Sequence, residues 1–201
     1  MRRRLLIVIL AGFLVGALGG AAALIVTSAQ GPKVETTGTA LIGGPFTLVD
    51  QNGKTVTDRD FRGKYMLIFF GFTHCPDICP AELQVMSAAL DALGSKADEV
   101  VPVFVTLDPE RDTSEVVGTY VKNFGKNFVG LTGSPSAIAN AAKAYRVTYS
   151  KFEYNGKDVN YRYSIDHSAL VYLMDKDGQY LTHFIYGTPA SKMTETMRSY
   201  L

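Results

Sequence analysis

The chain has 201 residues, of which 20 are basic and 19 acidic, and this length accommodates about one domain plus an appendage. Three of the basic residues are the arginines at positions 2–4, so the remainder carries 17 basic and 19 acidic residues. No basic stripe runs through the sequence, and we expect no nucleic-acid partner.

The first 26 residues differ in character from the rest. Residues 1–4 form a basic head that we expect to be cytoplasmic, and residues 5–26 are an uncharged apolar run. A helix of that length spans about 33 Å, which is enough for a transmembrane anchor. A cleaved signal peptide, with its cleavage site near the alanines at 21–23, is the alternative, although its apolar region is usually only about 7–15 residues long.

The position of the arginines predicts the orientation of this anchor. Positive charge before the span favours a cytoplasmic N terminus and an exported domain. Only four residues precede the span, which leaves no room for an organelle transit peptide. We therefore expect a single-pass protein of a bacterial inner membrane, with its soluble domain in the periplasm. Gly12, Gly16 and Gly20 lie four residues apart, a spacing that permits a weak helix–helix dimer. Residues 27–41 are predicted to be a tether.

Residues 42–201 alternate between strand and helix patterns, as judged from hydrophobic period, capping residues and turn dipeptides. In chain order we predict a hairpin over 45–56 turning at Asn52-Gly53, a buried strand over 65–70, a helix over 81–93, a strand over 100–107, a helix over 112–124, a strand over 128–131, a helix over 134–145, a tyrosine-rich β-ribbon over 147–165, a hairpin over 168–186 and a helix over 191–201. This order indicates an α/β sheet covered by helices on both faces.

The two cysteines, Cys75 and Cys79, lie where a predicted buried strand passes into a helix. Ligands of α/β sheets bind at such strand ends. In an exported chain this pair can form a disulfide, a redox dithiol or a metal site. Because Pro80 suits the first helical position, we predict Cys79 as the N-cap and expect it to ionise more easily than a free thiol.

The spacing of the cysteines favours a metal but leaves a disulfide open. Residues four apart on a helix have Cβ atoms about 5–6 Å apart, whereas a disulfide needs about 3.5–4.5 Å. Structural zinc requires four ligands, and the chain has no second cysteine pair. Copper(I) prefers thiolate ligands and accepts low coordination numbers, so one further ligand would complete a copper site.

The chain has three histidines that could supply this ligand. His74 adjoins Cys75 and is interpreted as a loop residue, and His183 lies within a predicted strand as a surface residue. His167 precedes an apolar strand, at a turn where thioredoxin-like enzymes carry a proline. The residues alone leave the role of His167 open.

Three segments in order resemble the Sco/SenC family. They are residues 71–80 (Gly-Phe-Thr-His-Cys-Pro-Asp-Ile-Cys-Pro), residues 107–112 (Leu-Asp-Pro-Glu-Arg-Asp) and residues 166–168 (Asp-His-Ser). The resemblance covers about residues 45–201. It implies a thioredoxin-like fold that binds one copper ion, Cu(I) or Cu(II), through Cys75, Cys79 and His167.

The resemblance also implies a function in assembly of the binuclear CuA centre of cytochrome c oxidase subunit II, as a metallochaperone rather than an enzyme. Copper would come from other copper chaperones, and the acceptor would be subunit II or another periplasmic copper protein. Asp108 and Asp166 are candidates to orient the ligands from outside the coordination sphere. Asp108 is equally explained as a turn residue before Pro109.

Three other functions use the same cysteines. A thiol–disulfide reductase would keep the acceptor's cysteines reduced and would need Cys75 and Cys79 but not His167. A peroxide-removing enzyme is disfavoured because residues 70–74 lack the proline of that cysteine motif. A purely structural disulfide is disfavoured because so short a loop gains little stability from one.

Overall fold

A computed structural model describes residues 41–153 and 163–201. The predicted head (1–4), the apolar segment (5–26), most of the tether and the Asn155-Gly156 turn of the ribbon lie outside the described residues. Within the described ranges, no helix combines the length and the hydropathy that crossing a membrane requires. The anchor and its orientation therefore stay predictions.

Every strand and helix predicted within these ranges is present, with ends shifted by a few residues. The strands are β1 (Thr47–Asp50), β2 (Thr55–Thr57), β3 (Tyr65–Gly71), β4 (Val100–Thr106), β5 (Val129–Thr132), β6 (Tyr149–Glu153), β7 (Tyr163–His167), β8 (Leu170–Met174) and β9 (Tyr180–Ile185). The helices are α1 (Ile78–Leu93), α2 (Ser114–Val121), α3 (Pro135–Ala144) and α4 (Ala190–Arg198).

Seven strands form one sheet in the order β2-β1-β5-β4-β3-β8-β9. β4 pairs in parallel with both β3 and β5, while β8 pairs antiparallel with β3. β6 and β7 pair with each other as a separate two-stranded ribbon. The ribbon was predicted from its tyrosines and its turn, and the described parts of both strands confirm it.

The central strand β3 is buried on both faces, which explains its unbroken apolar run. Phe69 packs on Phe104, which contacts Tyr120 of α2, and Phe70 packs on Tyr145 at the end of α3. Because Phe69 and Phe70 are consecutive in a strand, their rings point to opposite faces. The prediction of helices on both faces is confirmed.

Two helices begin at side-chain caps. The Thr113 hydroxyl accepts from the amide of Val116 at the start of α2, and the Ser134 hydroxyl accepts from the amide of Ala137 at the start of α3. Gly94 ends α1 with a φ of 63°, a conformation that favours glycine. These signals explain why the sequence pattern predicted the element boundaries closely.

Candidate metal site

The cysteines lie at the end of β3, as predicted, but the helix begins earlier than predicted. Asp77 is the N-cap of α1, so Cys79 and Pro80 occupy the second and third helical positions. The prediction that Cys79 is the N-cap was wrong. Proline is tolerated anywhere in the first turn of a helix, because the amides there have no intrahelical acceptor.

The two sulfurs differ in environment. Cys79 is completely buried, whereas Cys75 is half-buried in the turn between β3 and α1. The backbone amide of Cys79 donates to the sulfur of Cys75 over 3.3 Å. Both cysteines are free thiols.

The proton between the two sulfurs stays with Cys79. A hydrogen bond from the Cys79 thiol, helped by the backbone amides of Cys79 and Asp77, lowers the pKa of Cys75 to about 6 against the opposing effect of burial. The same hydrogen bond, together with burial, raises the pKa of Cys79. The expectation that Cys79 ionises more easily than a free thiol was wrong, because its thiol donates to Cys75 and lies inside the core.

His167 reaches the cysteines from β7. Its Nε2 lies 3.6 Å from the sulfur of Cys79, although 88 residues separate them in sequence. Its Nδ1 lies 3.1 Å from the carbonyl oxygen of Ser168. Because a carbonyl only accepts, Nδ1 carries a hydrogen, so Nε2 is the ring nitrogen that a neutral imidazole would offer to a metal.

Two aromatic rings hold the imidazole of His167 in place. Phe69 and Phe72 each lie with their ring centres 6.0 Å from it, in edge-on arrangements. Both phenylalanines are buried, so the imidazole rests against the rigid end of the core. The core thereby orients an imidazole that a separate ribbon supplies.

The spacing of sulfur and nitrogen fits a shared metal ion. Bonds of about 2.3 Å to sulfur and about 2.05 Å to nitrogen, taken from zinc, place the two atoms about 3.6–3.8 Å apart at tetrahedral to trigonal angles. The observed 3.6 Å agrees with this range. Among residues 41–153 and 163–201, however, no three His, Cys, Asp or Glu side chains are already gathered around one point. Binding one ion through Cys75, Cys79 and His167 would therefore require at least one of these side chains to move.

The other two histidines lie where the sequence pattern predicted. His74 is exposed in the loop, with Nδ1 3.2 Å from the hydroxyl of Thr73. His183 is exposed on the edge strand β9 and contacts Tyr180. The structure describes all three histidines, and His167 is the one whose ring nitrogen lies within hydrogen-bonding reach of a cysteine sulfur.

The two aspartates proposed to orient the ligands differ from each other. Asp166 is exposed next to His167, and its role stays a prediction. Asp108 is buried, and its carboxylate accepts a hydrogen bond from the hydroxyl of Tyr163 and pairs with Arg111. Asp108 thus contacts the strand of His167 rather than the imidazole. Tyr163 was missed because a tyrosine in a tyrosine-rich ribbon carries no distinguishing signal.

A cleft of about 590 Å³ opens beside the site, and Cys75 and His167 are among its lining residues. Most of the other lining side chains are apolar, and they include Phe72, Ile78 and Phe152. Ile78 is 40% exposed. Another molecule can therefore reach the half-buried sulfur of Cys75 through this mainly apolar cleft.

The asymmetry of the two thiols predicts a pH profile for alkylation. In the reduced, metal-free protein, iodoacetamide should modify Cys75 with a rate midpoint near pH 6, whereas a free thiol has a pKa of about 8.5. Mass spectrometry should find Cys79 unmodified. Cys79→Ala removes the thiol donor, so the midpoint should move upward. A wild-type midpoint near pH 8.5 would contradict this account of the site.

Comparison with known proteins identifies relatives of this chain. The profile of the SCO1/SenC family matches residues 34–201. The human protein described as "Protein SCO1 homolog, mitochondrial" is 44% identical over 149 residues, which are 73% of this chain and 48% of that protein. The chain thus spans about half the length of that curated relative.

Two solved structures extend the comparison. The structure of Bradyrhizobium japonicum ScoI with copper bound is 44% identical, with a TM-score of 0.72, and the match covers 80% of this chain and 99% of that one. The structure of BsSco, described as having a disulfide switch and as a member of the Sco family of cytochrome c oxidase assembly proteins, is 26% identical, with a TM-score of 0.58, over 79% and 92% of the two chains. The α/β, thioredoxin-like fold is that of these structures. The chain belongs to the SCO1/SenC family.

Proposed function

We propose that this protein is a copper metallochaperone that binds one copper ion through Cys75, Cys79 and His167. The observation that carries the proposal is the 3.6 Å approach of His167 Nε2 to the sulfur of Cys79, beside a second sulfur. Two thiolates and a neutral imidazole form a soft ligand set that suits copper(I). The copper bound in the related ScoI structure supports the choice of metal.

The site is built for transfer as well as for binding. Cys79, which is completely buried, would hold the ion against the core, while Cys75 and His167 line the apolar cleft. An acceptor's thiolate or imidazole can therefore approach from the side of Cys75 and replace one ligand at a time. No bond in a substrate is made or broken, so the protein acts as a carrier rather than an enzyme.

The copper acceptor that we propose is subunit II of cytochrome c oxidase, which would receive the metal for its CuA centre. Another periplasmic copper protein is the alternative acceptor. The description of BsSco as a member of a family of cytochrome c oxidase assembly proteins supports this choice. Other copper chaperones would supply the metal.

We place the protein in a bacterial inner membrane, anchored by residues 5–26, with residues 42–201 in the periplasm. The length and apolar character of residues 5–26 support this location.

Copper titration tests the ligand set. Under reducing conditions the wild-type protein should bind one Cu(I) per chain in competition with a chromogenic chelator. His167→Ala should weaken binding by at least about a hundredfold, because even partners outside the coordination sphere are worth about 10–100-fold. His183→Ala is the matched control on an exposed histidine far from the cysteine loop and should bind like the wild type. Unimpaired binding by His167→Ala would exclude His167 as a ligand.

A thiol–disulfide reductase is the second candidate function. Cys75 is a thiolate at neutral pH and Cys79 is a protonated thiol beside it, which is the arrangement of an attacking and a resolving cysteine. The Cys75 thiolate would attack an acceptor disulfide and release one acceptor thiolate. Cys79, on losing its proton, would then form the Cys75–Cys79 disulfide and release the second acceptor thiolate. The disulfide switch described for BsSco supports this chemistry.

Complementation separates the two functions. In cells that lack their own copy of the gene, His167→Ala should fail to restore cytochrome c oxidase activity if copper delivery is the function. The purified variant should still reduce a disulfide-bonded peptide at a rate near that of the wild type, since both cysteines remain. Full restoration by His167→Ala would favour the reductase, and Cys75→Ala should fail in both assays.

A further inference from the structure

The turn after β4, residues 107–112, contacts both halves of the candidate site. One half is the loop that carries the cysteines, and the other is the ribbon that carries His167. The contacts come from different side chains of this one short turn. Neither the copper chemistry nor the core packing described above accounts for them.

The first set of contacts holds the cysteine loop. Asp112 is completely buried, and its carboxylate accepts hydrogen bonds from the Thr73 amide over 2.9 Å and from the Thr73 hydroxyl over 2.6 Å. It also accepts one from the hydroxyl of Thr106 at the end of β4, over 2.6 Å. Thr73 lies two residues before Cys75, so a buried carboxylate fixes the start of the cysteine loop to the turn.

The second set of contacts holds the ribbon. The hydroxyl of Tyr163 donates to Asp108 Oδ1 over 2.7 Å. The guanidinium carbon of Arg111 lies 3.8 Å from the centre of the Tyr163 ring, and its Nη1 donates to the Tyr163 carbonyl over 3.3 Å. The Nε of Arg111 also pairs with Asp108. Tyr163 is the first residue of β7 and His167 is the last. The turn therefore contacts β7 at the end opposite His167.

The partner strand β6 is tied to the same turn. Nζ of Lys151 lies 3.8 Å from the centre of the Tyr163 ring and 2.8 Å from the carboxylate of Glu110. Both strands of the ribbon therefore contact residues of this turn. The ion pair between Lys151 and Glu110 is exposed and weak by itself. We therefore assign most of the attachment between the turn and the ribbon to the partly buried Arg111 and Tyr163.

The ribbon needs this support. All five residues of β6 are exposed, and an isolated two-stranded ribbon is only marginally stable in water. Hydrogen bonds between Thr148 and Ser168 close the ribbon at the end near His167. The opposite end, about 13 Å away along the strand, is held at Tyr163. Between these ends Ile165 of β7 is buried in the core, so loss of the attachment at Tyr163 would shift the ribbon and its imidazole rather than release them.

We propose that residues 107–112 form a brace that sets the separation between the sulfur of Cys79 and the Nε2 of His167, with Arg111 and Tyr163 as positioning residues. The proposal rests on the proposed function, in which His167 is a copper ligand.

Copper affinity in two backgrounds tests the brace. Tyr163→Phe removes only the hydroxyl and leaves Asp108 paired with Arg111, so the variant should fold; Arg111→Ala removes the whole contact. Each should weaken Cu(I) binding by about tenfold, the size of effect typical of residues that orient a metal ligand. In a His167→Ala background, Arg111→Ala should change the affinity by less than about twofold, because no imidazole remains to be positioned.

Lys176→Ala is the matched control. Lys176 lies 5.2 Å from the ring of Tyr65 and pairs with Glu99 over 2.7 Å, and Tyr65 begins β3, the strand whose far end leads to the cysteines. This variant removes a comparable cation–aromatic contact about 20 Å from the site. It should bind copper like the wild type.

Hydrogen–deuterium exchange of the copper-free protein gives a readout that does not depend on the metal. Tyr163→Phe and Arg111→Ala should raise exchange in β6 and β7, and Lys176→Ala should not. Unchanged exchange in both ribbon variants, or an equal loss of copper affinity with and without His167, would overturn the brace while leaving the proposed function intact. Unimpaired copper binding by His167→Ala would overturn both.

Discussion

The contact between the sulfur of Cys79 and the Nε2 of His167 is the constraint on which the site depends. The sulfur belongs to the first turn of α1, the helix that follows the buried strand β3, and the imidazole belongs to a ribbon outside the seven-stranded sheet. The chain brings the two atoms to 3.6 Å by packing the imidazole against Phe69 and Phe72. A rigid core thus holds the sulfur and orients the imidazole of the proposed copper site.

The difference between the two cysteines gives the site its chemical character. Cys75 is an accessible thiolate near neutral pH, while Cys79 keeps its proton because it is buried and donates to its neighbour. Binding of copper must displace that proton, so copper affinity should depend on pH. The accessible thiolate is also the group through which an acceptor could remove the ion. The same asymmetry suits thiol–disulfide exchange, which is why both functions are proposed for one pair of residues.

The sequence predicted the sheet, the helices and the cysteine position because those features depend on local signals. The apolar run of β3, the caps at Thr113 and Ser134 and the turn glycine Gly94 all act within a few residues of where they are read. The prediction failed where the outcome depended on the folded environment. Pro80 is compatible with several positions in a first helical turn, and only burial decides which of the two thiols keeps its proton.

The role of His167 lies between these cases, since its residue type and position allowed a ligand but its approach to Cys79 is a tertiary event. X-ray absorption spectroscopy of the Cu(I)-loaded protein tests that approach most directly. Our account predicts two sulfur atoms and one nitrogen atom around copper, with the nitrogen contribution lost in His167→Ala and kept in His183→Ala. A copper site with sulfur ligands only in the wild-type protein, or a nitrogen contribution that persists in His167→Ala, would contradict it.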